Sequence, residues 1–311
     1  MTFRATLDAI ALLDDPLANG QAVVSAVQAL GPCNADWVRI SGPKGHTDFV
    51  RITIPGSSGK RRDGQCPTLG IIGRLGGVGA RPEMIGLVSD GDGAVAAIAI
   101  AIKLVRMAGR GDVLPGDVII STHVCPNSPV IPHDPVPFMG APVDMAVMNK
   151  HEVDAAMDAI LSIDTTKGNR IVNHRGFALS PTVKEGYILR VSEDLLGIMS
   201  ITTGQAPVTY PITTQDITPY GNGIYHLNSI LQPATATDAP VVGVAITAET
   251  AVPGCATGAS HPADIEEAVR FCIEVAKAFG AGKCSFYDVE EFDRLVRLYG
   301  SMKHLQTLGK E

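Results

Sequence analysis

The sequence predicts an α/β protein of three layers, with helices on both faces of a mostly parallel mixed sheet. Three observations carry that expectation. Short apolar runs of strand type alternate with helical segments. Of the 311 residues 45% are hydrophobic and 18% charged, the composition of a chain that packs a core rather than a disordered chain or a coiled coil. Gly (33) and Pro (21) fall between the apolar segments and punctuate them as loops. No insertion large enough for a second domain interrupts the pattern, so residues 1–311 read as a single α/β domain.

The elements follow in order. Residues 56–67 (GSSGKRRDGQCP) are polar, Gly-rich and basic, and read as an exposed loop. Residues 69–72 and 84–88 are short apolar runs of strand type. Residues 93–107 (GAVAAIAIAIKLVRM) are apolar nearly all round, and their length favours a buried helix. Residues 117–122 form a strand. The stretch 125–142 holds six prolines and cannot be a helix interior or a central strand. A helix over 143–158, a strand over 159–163 and a strand over 241–247 come next. Residues 263–279 form an amphipathic helix with Ile265, Val269, Cys272, Val275 and Ala276 on one face and acids near its start. A last helix covers 287–298.

Composition narrows the function classes. Lys plus Arg is 25 and Asp plus Glu is 32, giving a net charge of −7, which argues against nucleic acid or an anionic lipid surface as partner. The longest apolar run, 94–105, contains Lys103 and is too short to span a bilayer. The first residues, MTFRATLDAIALLDD, place Asp8 inside their apolar stretch and lack the core of a signal peptide, so a cytoplasmic protein is expected. The six cysteines form no CxxC pair and are expected as thiols.

In an open α/β sheet ligands bind beyond the carboxyl ends of the strands. After 84–88 come Asp90 and Asp92, at a helix start; after 117–122 come His123 and Cys125; after 159–163 comes Asp164; after 241–247 come Glu249 and then His261. Carboxylates and imidazoles at four strand ends are the inventory of a divalent metal site. Each also has a plain reading: Asp90 or Asp92 as a helix cap, His123 as a core histidine, Asp164 as the start of a turn before Gly168. The run GRLGGVG (73–79) has no GKS or GKT, no G-x-S-x-G elbow occurs, and Cys125 is a weak nucleophile candidate.

This order of motifs resembles the cocatalytic zinc aminopeptidase and amidohydrolase superfamily, which includes the leucyl and glutamyl aminopeptidases. The chain also looks like a member of a bacterial family of about this length, domain of unknown function 1177. The superfamily resemblance spans 69–279 and lies in order and spacing. It implies a zinc-peptidase-like (phosphorylase/hydrolase-like) fold and a zinc or other divalent ion. Asp90 in SDGDGAVAA matches the superfamily's bridging aspartate, with Asp92 the fallback; Asp164 in ILSIDTT matches its later carboxylate ligand; His261 in TGASHPADIEEAV matches its final histidine. The pattern departs at two places. The early His-x-Asp is replaced by GRLGGVG, which offers Arg74, and the Glu-Glu pair by CPNSP. A guanidinium repels a metal and cannot be deprotonated. A single ion on Asp90, Asp164, His261 and His123, a rewired set drawing on His123, Asp92 or His133, or a fold without its metal are the three outcomes.

The expected function is metal-dependent hydrolysis of an amide bond in a small peptide-like or cyclic amide compound, with a catalytically silent binding or regulatory subunit as the alternative. The expected catalytic residues are His123, Arg74 and Glu249, and the substrate-binding residues Arg74, Asn127 and Asn222. The expected metal ligands are Asp90, Asp92, His123, Asp164 and His261. The resemblance further implies a homo-oligomer.

Overall fold

The computed structural model describes residues 1–74, 86–132, 134, 136–168, 171–212, 227–252 and 258–307. The chain opens with helices α1 (Thr2–Leu13) and α2 (Gly20–Gln28); the Asn19 side chain caps α2 by accepting from Ala22 N–H at 2.9 Å. A hairpin of β1 (Asn34–Gly42) and β2 (Gly45–Ile54) follows. Next come β3 (Leu69–Gly73), α3 (Asp92–Ala108), β4 (Val118–Val124) and the short pair β5 (Val130–Ile131) and β6 (Phe138–Met139). Then α4 (Met145–Glu152) leads to β7 (Ala159–Thr165), β8 (Gly176–Leu179), β9 (Val183–Lys184) and β10 (Tyr187–Ile188). The chain ends with α5 (Glu193–Thr203), β11 (Val241–Thr247), α6 (Pro262–Gly280) and α7 (Val289–Tyr299).

Nine strands form one mixed sheet in the order β1-β2-β4-β3-β7-β11-β9-β10, with β8 also paired to β11. Its centre, β4, β3, β7 and β11, is parallel; β2, β8 and β9 join it antiparallel. The central strands are buried except for Thr165 at the end of β7, which is why they read as near-continuous apolar runs. Alternation sorts their side chains between two cores. Leu69, Ile71, Ile120, Leu161 and Ile163 pack with α1, α3 and α6 on one face. Ile72, Ile119, Ile160 and Ala245 pack on the other, beneath the 3-10 helix Ser229–Thr235 and the end of α4. This is the α/β layering expected from sequence, with the parallel strands confined to the middle of the sheet.

The strands expected at 69–72, 117–122, 159–163 and 241–247 form, as do the helices expected at 93–107, 263–279 and 287–298. The helix expected over 143–158 is cut short: Val153 is extended at the C-cap, and Asp154 then bonds Ala156 N–H in a turn. The strand expected over 84–88 is not present in its described part. Gly86 has φ 89°, and Val88 runs into the 3-10 turn Ser89–Gly91; residues 84 and 85 lie outside the described residues. The proline-rich stretch carries the two-residue strands β5 and β6, so it is not wholly without structure. The hairpin of β1 and β2 and helices α1, α2 and α5 are additional to the expected elements. Cys33, Cys66, Cys125, Cys272 and Cys284 are free thiols, and Cys255 lies outside the described residues. Among the described residues no helix is long and apolar enough to cross a membrane.

The position of α3 depends on one glycine. A Cβ at Gly93 would stand 2.6 Å from Arg74 O and 2.8 Å from Ile163 O, so only glycine lets the first turn rest on the ends of β3 and β7. Gly93→Ala is expected to cost about 1–3 kcal/mol through this overlap. Gly197→Ala in α5, where nothing lies within 4 Å, is the control and is expected to be neutral or to stabilise by up to about 1 kcal/mol. Chemical denaturation of the two variants checks both.

Candidate functional site

The chain leaves β3 through α3 towards β4, on one side, and leaves β7 towards β11, on the other. Strands β3 and β7 are neighbours, so their carboxyl ends flank the point where the connections diverge. That is where open α/β sheets place their ligands. Arg74 follows the last residue of β3 and its N–H donates to Ile163 O at 2.7 Å; Asp164 is the next residue of β7.

Two rows of side chains on one face of the sheet lead to this point. Ser121 of β4 and Ser162 of β7 both pair in register with Ile72 of β3. Two residues further along each strand stand His123, Arg74 and Asp164. Residues of α4 and of the 3-10 helix cover them. The Arg74 guanidinium has no solvent exposure. Its Nη1 donates to Glu152 Oε2 and to Asn149 Oδ1 (3.2 Å), and Nη2 faces Gln232 Oε1 at 3.5 Å. Asn149 in turn donates to Gln232 O (3.3 Å) and Thr235 Oγ1 (3.2 Å), tying α4 to the 3-10 helix. Arg74 Nε, Glu152 Oε1, Gln232 Nε2, Ser121 Oγ and Ser162 Oγ are buried there with no hydrogen-bond partner among the described residues. Such atoms take ordered water or a ligand group.

Asp164 is 2% exposed. Its Oδ1 accepts from Thr165 N–H at 2.7 Å and its Oδ2 from Ser229 Oγ at 3.4 Å. Burial pushes its carboxyl up to about 7; Arg74 pulls the other way, and Glu152 adds to the rise. Glu152 is also raised by burial, against the pull of Arg74. His123 Nδ1 is hydrogen-bonded to Thr47 Oγ1 at 2.8 Å, and Thr47 Oγ1 also lies 3.2 Å from Val124 O. Burial, and then Arg74, lower His123 to about 3, so the imidazole is neutral.

A second cluster stands at the start of α3. Asp92 is fully buried, and its Oδ2 accepts from Lys167 Nζ at 2.5 Å while its Oδ1 accepts from Ser260 Oγ at 2.5 Å. His261, the N-cap of α6 and the residue after Ser260, is half exposed with Nδ1 3.8 Å from Asp264. Asp90 is buried in the 3-10 turn before α3. The expected ligands thus divide: Asp92 and His261 belong to this cluster, Asp164 and His123 to the Arg74 face, and no hydrogen bond or ion pair joins Asp164 to His261. Asn127 and Glu249 are exposed in the turns after β4 and β11. Asn222 and His133 lie outside the described residues.

The divalent ion that the superfamily resemblance implies does not fit this arrangement. Asp92 already has an ammonium on one oxygen and a hydroxyl on the other, and the cation beside Asp164 is the Arg74 guanidinium. A second cation at either carboxylate meets like-charge repulsion. Among the described residues no group of three or more His, Cys, Asp or Glu is arranged as a ligand set.

Glu152, Asn149, Gln232, Ser229 and Lys167 are additions to the residues expected from sequence. One signal was present: β4 and β7 carry Ser121/His123 and Ser162/Asp164, polar residues two apart in mostly apolar strands, which marks one face. Arg74→Met is expected to cost about 3–5 kcal/mol by leaving Glu152 buried without its cation, and Arg74→Met combined with Glu152→Leu to recover most of that loss. A double-mutant cycle by urea denaturation measures both.

Comparison with known proteins adds one match. The family model described as protein of unknown function (DUF1177) matches residues 38–309. That interval takes in the whole Arg74 face and the Asp92 cluster. No curated protein matches the chain. Since the match covers most of its length, the chain belongs to the DUF1177 family.

Proposed function

We propose that the protein is a hydrolase that cleaves an amide bond in a small peptide-like or cyclic amide compound at the carboxyl ends of β3 and β7. The observation that carries the reading is Asp164: a buried carboxyl held near pKa 7 at the point where the sheet's connections diverge. A carboxylate poised near neutral pH is what a general base needs. Ionised Asp164 takes a proton from water as the water oxygen bonds to the amide carbon. The same proton then goes to the amide nitrogen as the C–N bond breaks, leaving a carboxylic acid and an amine. The Arg74 guanidinium stabilises the ionised form of Asp164, and the neutral His123 imidazole stands on the same face of the sheet.

A second reading, a catalytically silent binding subunit, draws on the internal pairing of both buried cations, Arg74 with Glu152 and Lys167 with Asp92. Amine release from a panel of dipeptides, N-acyl amino acids and small lactams separates the two. The hydrolase is expected to act on part of the panel, with activity rising with pH through about 7. Asp164→Asn should lower kcat by about 100-fold or more. No amine release from any member, or release unchanged in Asp164→Asn, rules out the hydrolase reading.

The same carboxyl gives a stability signature. Its native pKa, about 7, lies above the ordinary carboxyl value of 3.8, so between these values the folded chain binds more protons than the unfolded one. Stability from this group is full at low pH and is lost as pH rises through about 7. Asp164→Asn lacks that loss. Its stability relative to the wild type is expected to increase from pH 4 to pH 8, by up to about 4 kcal/mol, in denaturation curves collected across that range.

A further inference from the structure

Away from the Arg74 face, a cavity of about 390 Å³ lies between α1 and the C-terminal half of α3. Of the seven residues that line it, four are cations, Arg4, Lys103, Arg106 and Arg110, and none is acidic. The chain as a whole carries a net charge of −7, so this lining is not a sample of its average surface. Helix periodicity builds the basic wall. Lys103 and Arg106 are the only charged residues of α3 after Asp92, and with Arg110 they follow the spacing i, i+3, i+7 on one side of the helix. Arg110 keeps that side because its N–H donates to Met107 O at 2.9 Å, continuing the turn. Helix α1 carries Arg4 on the other wall, fixed by Ala5, Ala9 and Leu13 in the core it shares with α3.

One acid answers these cations. Asp8 pairs with Arg4 Nε at 2.8 Å and with Arg106 Nη1 at 2.8 Å, while among the described residues Lys103 and Arg110 have no ion-pair partner. The end of a helix carries about half a negative charge and attracts a cation within its last turn, which accounts for Arg106. It does not account for Lys103, a turn earlier, or for Arg4 on a different helix. We infer that this cavity binds a small phosphorylated molecule. Its volume suits one small ligand, for which pockets run about 300–1,000 Å³. A guanidinium meets two phosphate oxygens at once and an ammonium adds a point charge. Asp8 holds Arg4 and Arg106 in place, Lys103 and Arg110 have their donors free, and Ala5 and Met107 give apolar lining for the rest of the molecule. About 20 Å of α3 separates Arg106 from Asp92, so the cavity is distinct from the edge where β3 and β7 end, and the inference does not rest on the hydrolase reading.

Isothermal titration of the full chain with inorganic pyrophosphate, glycerol phosphate and adenosine monophosphate, at constant ionic strength, tests this. Glycerol and adenosine are the neutral controls, and citrate is the anion without phosphorus. At least one phosphorylated probe should bind saturably at a single site, more tightly than citrate, and neither neutral compound should bind. Lys103→Gln/Arg110→Gln should raise the Kd of that probe by about tenfold or more. These two residues are chosen because neither is buried or ion-paired, so their loss leaves no carboxylate without its cation. Lys44→Gln/Arg62→Gln removes the same charge from exposed positions elsewhere and should bind as the wild type does. The inference is overturned by the absence of saturable binding of any phosphorylated probe, by tighter binding of citrate, or by an equal loss in the two double variants. Sedimentation with phosphatidic acid vesicles, with no soluble probe bound, overturns it as well by placing the phosphate on a lipid.

Discussion

The ion pair between Arg74 and Glu152 has no solvent on either partner, so its stability depends on how fully the protein replaces water around it. Asn149 and Gln232 supply part of that replacement, and they come from two elements that otherwise lie far apart in sequence. The pair therefore fixes more than one side chain. It sets α4 and the 3-10 helix over the carboxyl end of β3, and that cover excludes water from Asp164 and His123. Their protonation states follow: a carboxyl raised towards neutrality and an imidazole held uncharged, each with burial as the leading cause. Remove the pair, and the reason for both states goes with it.

Each lip of the sheet's carboxyl edge has one buried cation and one acid answering it: Arg74 with Glu152 on the α4 side, Lys167 with Asp92 at the start of α3. The two differ in what they leave over. Arg74 spends its terminal nitrogens on several protein acceptors, whereas among the described residues the ammonium of Lys167 bonds Asp92 alone. A planar guanidinium suits a fixed frame and a compact ammonium suits an exchangeable partner.

Much of this architecture was legible in the sequence, for a physical reason. Strands buried on both faces must be apolar nearly throughout, so β3, β4, β7 and β11 stand out as runs, and α3, apolar all round, announces its burial. The residues that follow such strands, Arg74, His123 and Asp164, could be named on topology alone. The hairpin of β1 and β2 was less visible because β1 lies at the sheet edge with exposed Asp36, Val38 and Arg39 interrupting its pattern. Glu152 and Asn149 were not legible: the short α4, MAVMNKHE, has no apolar stripe to show which side faces in. Lys167 meets Asp92 across 75 residues, and no local rule joins two such positions.

A purely structural account of Asp164 meets an energetic objection. The residue sits in a central strand, where a serine or an apolar side chain would fill the space without a charge to bury. As placed, its carboxyl has one short hydrogen bond, from Thr165 N–H, and one long one, from Ser229, which do not repay the loss of water. The raised pKa measures that deficit. Stability alone favours replacing such a group, and proteins keep costly groups where activity needs them. Neighbouring Ser162, also polar and without a hydrogen-bond partner among the described residues, extends the same tolerance along the strand. Two such residues, two apart in sequence and facing the same cover, are what a strand carries when its far end serves chemistry and its near end serves the core.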